Sequence, residues 1–435
     1  LNEPVLILTY YWPPSGGSGV QRWMYFSKYL ADNGFTPYVV TVDEKKASYK
    51  FIDNSFINHV KDIETVRTNT REVLKFYSRI TTGKKNAGIP QAFAGETKPG
   101  LIKKFARYIR GNYFIPDARK GWNKFAYNAA IDLIKKHNIK KIITTGPPHS
   151  THLIGLKLKE KFGVKWLADF RDPWREVFYN DLLYRSKRSN AIDEKLEAGV
   201  IEGANIVLTV GPGMAELLKR KTNSPEKVKF IYNGFDQDLF DGLKSVNFST
   251  NEIVITHIGL LSDSQPIDSF LKALKNVLEK NSSTQLKVKL KLVGKVSEGI
   301  LIKVNEIVPS ITLEVIDYVS HKVAINFMVH SHILLNSLAE GDLSSYLISG
   351  KLMEYVASGR PIICLGDEKG DAAALLNRFD DCHVFNRNNV AAIEIQLSHL
   401  IDSFSKGKWC VHATEGLEFT RKKSTKELAE LLKGL

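Results

Sequence analysis

Residues 140–170 read KKIITTGPPHSTHLIGLKLKEKFGVKWLADF: a short apolar run, a Gly-Pro-Pro turn, a helical pattern and a second apolar run. The spacing predicts a strand over 140–145, a helix over 151–162 and a strand over 164–169. Outward from this unit, 4–11, 37–42, 206–210 and 228–232 read as further strands, with 20–33, 123–137 and 192–202 as helices between them. Such alternation predicts an α/β fold whose parallel sheet is covered on both faces. After the turn-rich Asn233-Gly234-Phe235-Asp236 the cycle restarts, with strands expected at 253–258, 287–293, 311–316, 332–336, 361–365 and 383–385. An amphipathic helix over 418–432 has no strand after it.

Composition agrees with a folded, multidomain chain. At 435 residues, 43% hydrophobic and 25% charged, the protein has enough apolar content for two cores, which excludes collagen-like, coiled-coil and disordered readings. Cys364, Cys382 and Cys410 are too few and too irregularly spaced for a disulfide framework or a zinc site, and they fit a reducing cytosol. Charged or polar residues interrupt every long apolar stretch before the roughly 18–20 residues a bilayer crossing needs. A first core strand at 4–11 is expected to leave no room for a cleaved leader.

The net charge of +14 is unevenly placed. Residues 1–235 hold 39 Lys and Arg against 22 Asp and Glu, whereas the other 200 residues hold 22 against 25. Within the first half, 71–124 carries 13 basic and 3 acidic residues interleaved with aromatic side chains, Phe76, Phe105, Tyr108 and Tyr113 among them. The stretch 101–110, LIKKFARYIR, sets apolar groups at helical spacing with cations between, the pattern of a helix lying in a headgroup region. An anionic membrane surface is therefore the expected partner. Nucleic acid is not, since no helix-turn-helix, zinc-finger or RNP pattern accompanies the patch.

Three loops follow predicted strands, where open α/β sheets bind ligands. Gly16-Gly17-Ser18-Gly19, with Arg22 one turn on, opens a helix and outlines an anion cradle of backbone amides. A dinucleotide turn with Asp43 as the ribose acid fits poorly, because two prolines separate the strand from the first glycine. Gly146-Pro147-Pro148-His149 places His149 at a sheet edge, while His152, a turn later, reads as structural. In Asp169-Phe170-Arg171-Asp172-Pro173-Trp174, two carboxylates flank an arginine, either as an ion-pair network or as a site.

Ser349-Gly350-Lys351-Leu352-Met353-Glu354-Tyr355-Val356-Ala357-Ser358-Gly359-Arg360-Pro361 resembles the nucleotide-sugar-binding helix of retaining glycosyltransferases of family 4. The other segments occur in family order along essentially the whole chain. The resemblance implies a GT-B fold: two Rossmann-like doubly wound domains facing a cleft, at 1–235 with a basic insertion at 71–124 and at 236–415, with a final helix, 416–435, returning to the first. It implies Glu354 as the ribose ligand, a carboxylate that accepts from both vicinal hydroxyls. Gly16, Gly17, Ser18, Gly19, Gly259, Ser349, Gly350 and Lys351 are the other expected donor contacts, and His149, Arg171 and Asp172 the expected catalytic group.

Two positions depart from the family pattern. Tyr346 stands eight residues before Glu354, where many members carry a second glutamate, and the loop 259–266, GLLSDSQP, lacks the usual Arg and Lys that neutralise a diphosphate. Lys351, Arg22 and the amides of Ser349 and Gly350 are the expected substitutes. The resemblance implies a transferase that moves a sugar from a nucleotide-diphosphate donor to a hydroxyl of a lipid-linked or glycan acceptor in cell-surface polysaccharide synthesis. No metal or other cofactor is implied, and the location implied is cytoplasmic, peripheral at the inner face of the membrane. A nucleotide-sugar-binding protein without turnover, or a nucleotide-sugar epimerase of related fold, are the alternatives.

Overall fold

The computed structural model describes residues 2–49, 51–71, 101–241, 243, 252–280, 287–341, 343–408 and 418–435. The chain forms two compact units, Leu1–Asn233 with Arg421–Leu435, and Gly234–Thr420. The first boundary, expected at 235/236, lies at 233/234.

Among the described residues of the first unit, seven parallel strands run in the order β3-β2-β1-β4-β5-β6-β7. They are β1 (Glu3–Leu8), β2 (Phe35–Val42), β3 (Thr65–Thr68), β4 (Lys141–Gly146), β5 (Lys165–Phe170), β6 (Ile206–Thr209) and β7 (Val228–Phe230). Val5, Leu6, Ile7 and Leu8 are all buried, as a central strand covered on both faces requires. The helices are α1 (Ser18–Leu30), α2 (Leu101–Tyr113), α3 (Asn123–His137), α4 (His152–Phe162), α5 (Lys187–Gly203) and α6 (Pro212–Lys219).

The second unit repeats the plan with β8 (Glu252–Ile258), β9 (Lys287–Val293), β10 (Thr312–Ile316), β11 (Ile333–Ser337), β12 (Ile362–Leu365) and β13 (Cys382–Phe385), in the order β10-β9-β8-β11-β12-β13. Helices α7 (Asp268–Lys280), α8 (Glu298–Ile307), α9 (His321–Val329), α10 (Gly350–Ala357), α11 (Asp371–Leu376) and α12 (Val390–Ser405) accompany them. The last helix, α13 (Arg421–Lys433), belongs to the first unit. Its Leu428, Ala429 and Leu432 share one core with Val20, Trp23 and Met24 of α1.

Both sheets reverse direction of winding once, between β1 and β4 and between β8 and β11. Ligand crevices of open α/β sheets lie at such switch points, outside the carboxyl ends of the strands.

Three local expectations are corrected. The first strand stops at Leu8 rather than 11, because Tyr10 and Trp12 turn into the core and leave the ladder. Strand β3 was not foreseen: three of the four residues in its Thr-Val-Arg-Thr are polar, as suits an edge paired on one side only, to Val39–Val42. Helix α5 begins at Lys187 rather than 192, since Ser186 caps it by accepting from the Ser189 amide at 3.2 Å. Of the basic segment 71–124, residues 72–100 lie outside the described residues.

Candidate functional site

In the first unit the loops after β1, β4 and β5 are tied together by Arg171. Its guanidinium donates to the carbonyls of Gly146 at 3.2 Å, Pro147 at 2.6 Å and Gly19. Three of its five N–H groups thus hold loops, which assigns Arg171 a positioning role beside the switch point. Gly17 opens α1 at φ +92°, in the left-handed region that favours glycine. The Gly16 amide donates to Phe51 at 2.9 Å, so the cradle expected over Gly16–Gly19 narrows to the backbone from Gly17 onward, Ser18 included.

Arg22 is not available to a diphosphate, contrary to expectation. It is 1% exposed, pairs with Asp169 at 3.1 Å and donates to the carbonyls of Ile231 and Thr209 and to the Asn233 side chain. Asp169 also accepts from Trp23 Nε1 at 2.6 Å and Thr145 Oγ1 at 2.9 Å. The carboxylates of 169–174 therefore divide: Asp169 is a buried structural anchor for Arg22, and Asp172 is exposed at the sheet edge.

His149 has an assignable tautomer. Thr144 Oγ1 accepts from Trp166 Nε1 at 2.8 Å and lies 2.8 Å from His152 Nδ1. His149 Nε2 faces the Pro173 carbonyl at 3.3 Å and is protonated, leaving Nδ1 as an acceptor. Burial pushes the His149 pKa down to about 3 and that of His152 well below the usual value. His149 stacks on Trp174 with centroids 5.0 Å apart and lines a cavity with Tyr11, Asp117, Arg119 and Arg185. A neutral imidazole there accepts or donates a hydrogen bond without changing protonation near pH 7.

In the second unit the carboxyl edge of β8 meets α10. Gly259, at φ +114°, leaves room for the Lys351 ammonium: a Cβ built on it would stand 3.2 Å from Nζ. Lys351 Nζ lies 3.3 Å from His257 Nε2. Since His257 Nδ1 meets the Leu335 carbonyl at 3.0 Å, that nitrogen is the donor and Nε2 the acceptor for Lys351. Burial lowers the Lys351 pKa to about 8 and holds His257 neutral. Ser349 and Gly350 start α10, whose first amides lack intrahelical partners, and its dipole favours an anion at this end. One turn on, Glu354 is 8% exposed with Oε1 2.6 Å from His321 Nε2. Tyr346 sits half-buried in a turn ahead of the helix.

Arg387, just beyond β13, adds a second cation at this edge. It donates to the Leu338 carbonyl and lies 3.8 Å from Glu340. Arg387 and Lys351 both bear on the buried Cys364 thiol. Sequence reasoning missed His257, His321 and Arg387, because each stands outside a recognisable motif; a histidine inside the apolar run Ile253–Ile258 was the only available signal for His257.

No family model and no curated protein matches the chain. Solved structures do. Sucrose-phosphate synthase from Thermosynechococcus elongatus superposes with a TM-score of 0.58 at 14% identity, covering 99% of this chain and 95% of that one. HepE from Anabaena, in complex with UDP and glucose, gives 0.58 at 13%, covering 100% of both. A glycosyltransferase from Rickettsia africae gives 0.55 at 14%, covering 100% and 94%. At these identities the likeness is one of fold, and the fold is GT-B.

Proposed function

We propose that this protein is a retaining glycosyltransferase that moves a sugar from a nucleotide-diphosphate donor to a hydroxyl of a lipid-linked or glycan acceptor, in cytoplasmic cell-surface polysaccharide synthesis. The observation that carries the reading is the geometry of α10: an ammonium and open amides at its first turn, and a carboxylate one turn later, at the carboxyl edge of a GT-B sheet. Cation and amides suit a diphosphate, and the carboxylate suits vicinal ribose hydroxyls. Lys351 thereby takes on the neutralising task for which 259–266 has no side chain.

In this reading the reaction needs positioning and stabilisation of leaving-group charge more than a general acid–base pair. The acceptor approaches from the face the diphosphate leaves, and a diphosphate oxygen takes its proton. His149, neutral and held by Pro173, walls the cavity beside Asp117 and Arg119; Asp172 borders the same loops, and Arg171 fixes them.

A thermal-shift panel of UDP-, GDP-, ADP- and dTDP-sugars, with NAD as control, tests the donor assignment. Stabilisation by a nucleotide sugar and not by NAD is expected; stabilisation by NAD alone would overturn the reading. Transfer assays with the stabilising donor follow. Binding without hydrolysis or transfer would point to a binding protein, and conversion of the donor without acceptor to an epimerase.

A further inference from the structure

Helix α2 is fixed to the start of α5 through Asn112. Its side-chain amide donates to the carbonyls of Tyr108 at 2.8 Å and Tyr184 at 3.1 Å, and its oxygen accepts from Ser186 N and Ser189 Oγ, both at 2.8 Å. Gly111 makes the approach possible, since a Cβ there would stand 2.3 Å from the Leu183 carbonyl. Around this junction apolar side chains face solvent: Phe105 is 66% exposed, Tyr113 69%, and Tyr108 and Tyr184 44% each, with Ile192 one turn past Ser189 also exposed. Phe105, Tyr108 and Asn112 follow helical i, i+3, i+7 spacing, so the aromatic row runs into the Tyr184 contact.

The exposed charges on α2 and at the start of α5 are positive, and the nearby acid Glu194 is paired with Arg175 at 3.3 Å. Lys104, Lys187 and Arg188 are exposed around it, and α2 contains no acidic residue. Two cations expected on this face point inward instead: Arg107 is 3% exposed and Arg110 lines the cavity beside His149. An apolar patch fringed by exposed cations marks an interaction surface. Aromatic rings flanked by Lys and Arg match the headgroup level of an anionic bilayer, where rings sit at the interface and cations meet lipid phosphate.

We propose that Phe105, Tyr108, Tyr113, Tyr184 and Ile192, with Lys104, Lys187 and Arg188, form a surface that docks the first unit on anionic membrane. The surface stands independently of the donor assignment. Co-sedimentation of the full chain with vesicles of phosphatidylcholine, with or without phosphatidylglycerol, tests it. Binding is expected only with the anionic lipid, and to fall with salt. Each charge near the surface is worth about five-fold in partitioning, so removing all three through K104A/K187A/R188A should cost about a hundred-fold. F105S/Y108S should abolish retention, because charge alone gives weak attachment. The changed residues are exposed, and unaltered melting of both variants, with an unaltered shift by donor, separates loss of docking from misfolding or a failed donor assignment. No binding to either vesicle, equal binding to both, variants that bind as the parent does, or retention of duplex oligonucleotide in place of vesicles would each overturn the proposal.

Discussion

The Lys351 ammonium lies 3.3 Å from Nε2 of His257, a neutral imidazole whose other nitrogen is pinned to the Leu335 carbonyl. The cation is thus held by an acceptor carrying no charge, and its attraction for an anion is not cancelled by a carboxylate. Burial brings its pKa down to about 8, so a fraction of the ammonium is lost in mildly alkaline solution. In the proposed function the protonated form is the one that binds diphosphate. Nucleotide-sugar affinity should therefore hold below about pH 8 and fall roughly ten-fold per pH unit above it, until the deprotonated enzyme's weaker binding takes over. Calorimetry from pH 7 to 10 checks this. Lys351→Arg should flatten the profile, and an unchanged profile in Lys351→Met would assign the titration elsewhere.

Glu354 meets His321 through Oε1 at 2.6 Å, which orients the carboxylate proposed to hold the donor ribose. Glu354→Gln removes the charge and keeps the shape. Charge-assisted hydrogen bonds contribute about 1.5–3 kcal/mol, so donor affinity should drop about ten-fold or more with melting little changed. His321→Ala should give a smaller loss, because it frees the carboxylate to rotate without neutralising it. Titration of both variants with the donor measures the two effects, and unchanged affinity in Glu354→Gln would remove the ribose assignment.

The parallel architecture was legible because buried strands are short, apolar and separated by helical patterns. Residues 287–293 and 123–137 match their observed elements to the residue. Edge strand Thr65–Thr68 was not legible, since two of its four residues are threonine and one is Arg67, which donates to the Pro13 carbonyl at 2.7 Å. His149 was singled out by its place after a strand, and Lys351 by the family resemblance of its helix. The partners that set their behaviour come from other segments: Pro173, in the loop after β5, for His149, and His257, on β8, for Lys351. Arg22 shows the converse failure. Its place after a glycine loop suggested an anion ligand, whereas its partner Asp169 lies 147 residues away and no local pattern reveals the pairing.

Acid should destabilise the first unit through its buried histidines. His149 has a folded pKa near 3 against an ordinary value of 6.5, so between these values the unfolded chain takes up a proton that the folded one refuses. Its folded state is favoured above pH 6.5, and that contribution is lost as pH falls toward 3. His152 acts in the same direction. Each proton contributes a slope of about 1.4 kcal/mol per pH unit. Urea unfolding from pH 7 to 4.5 should show stability falling with acid, and His149→Gln should remove about one proton from the slope. A variant as acid-sensitive as the parent would contradict the assignment.

The Arg22–Asp169 pair offers the sharpest separation of folding from binding. Both side chains are almost fully buried, and Asp169 accepts from Trp23 and Thr145 while Arg22 reaches two strand-end carbonyls, so the pair joins α1, β4, β5 and β6. Removing one charge leaves the other buried without compensation, which typically costs about 3–5 kcal/mol. Asp169→Asn keeps the shape but leaves Arg22 uncompensated, and Arg22→Met leaves the carboxylate with only neutral donors. Each should lower the urea midpoint strongly. Donor affinity of the folded fraction, measured below that midpoint, should match the parent protein because neither group faces the nucleotide. A variant that keeps its unfolding midpoint and loses donor affinity would return Arg22 to the diphosphate and remove the structural role argued from its burial.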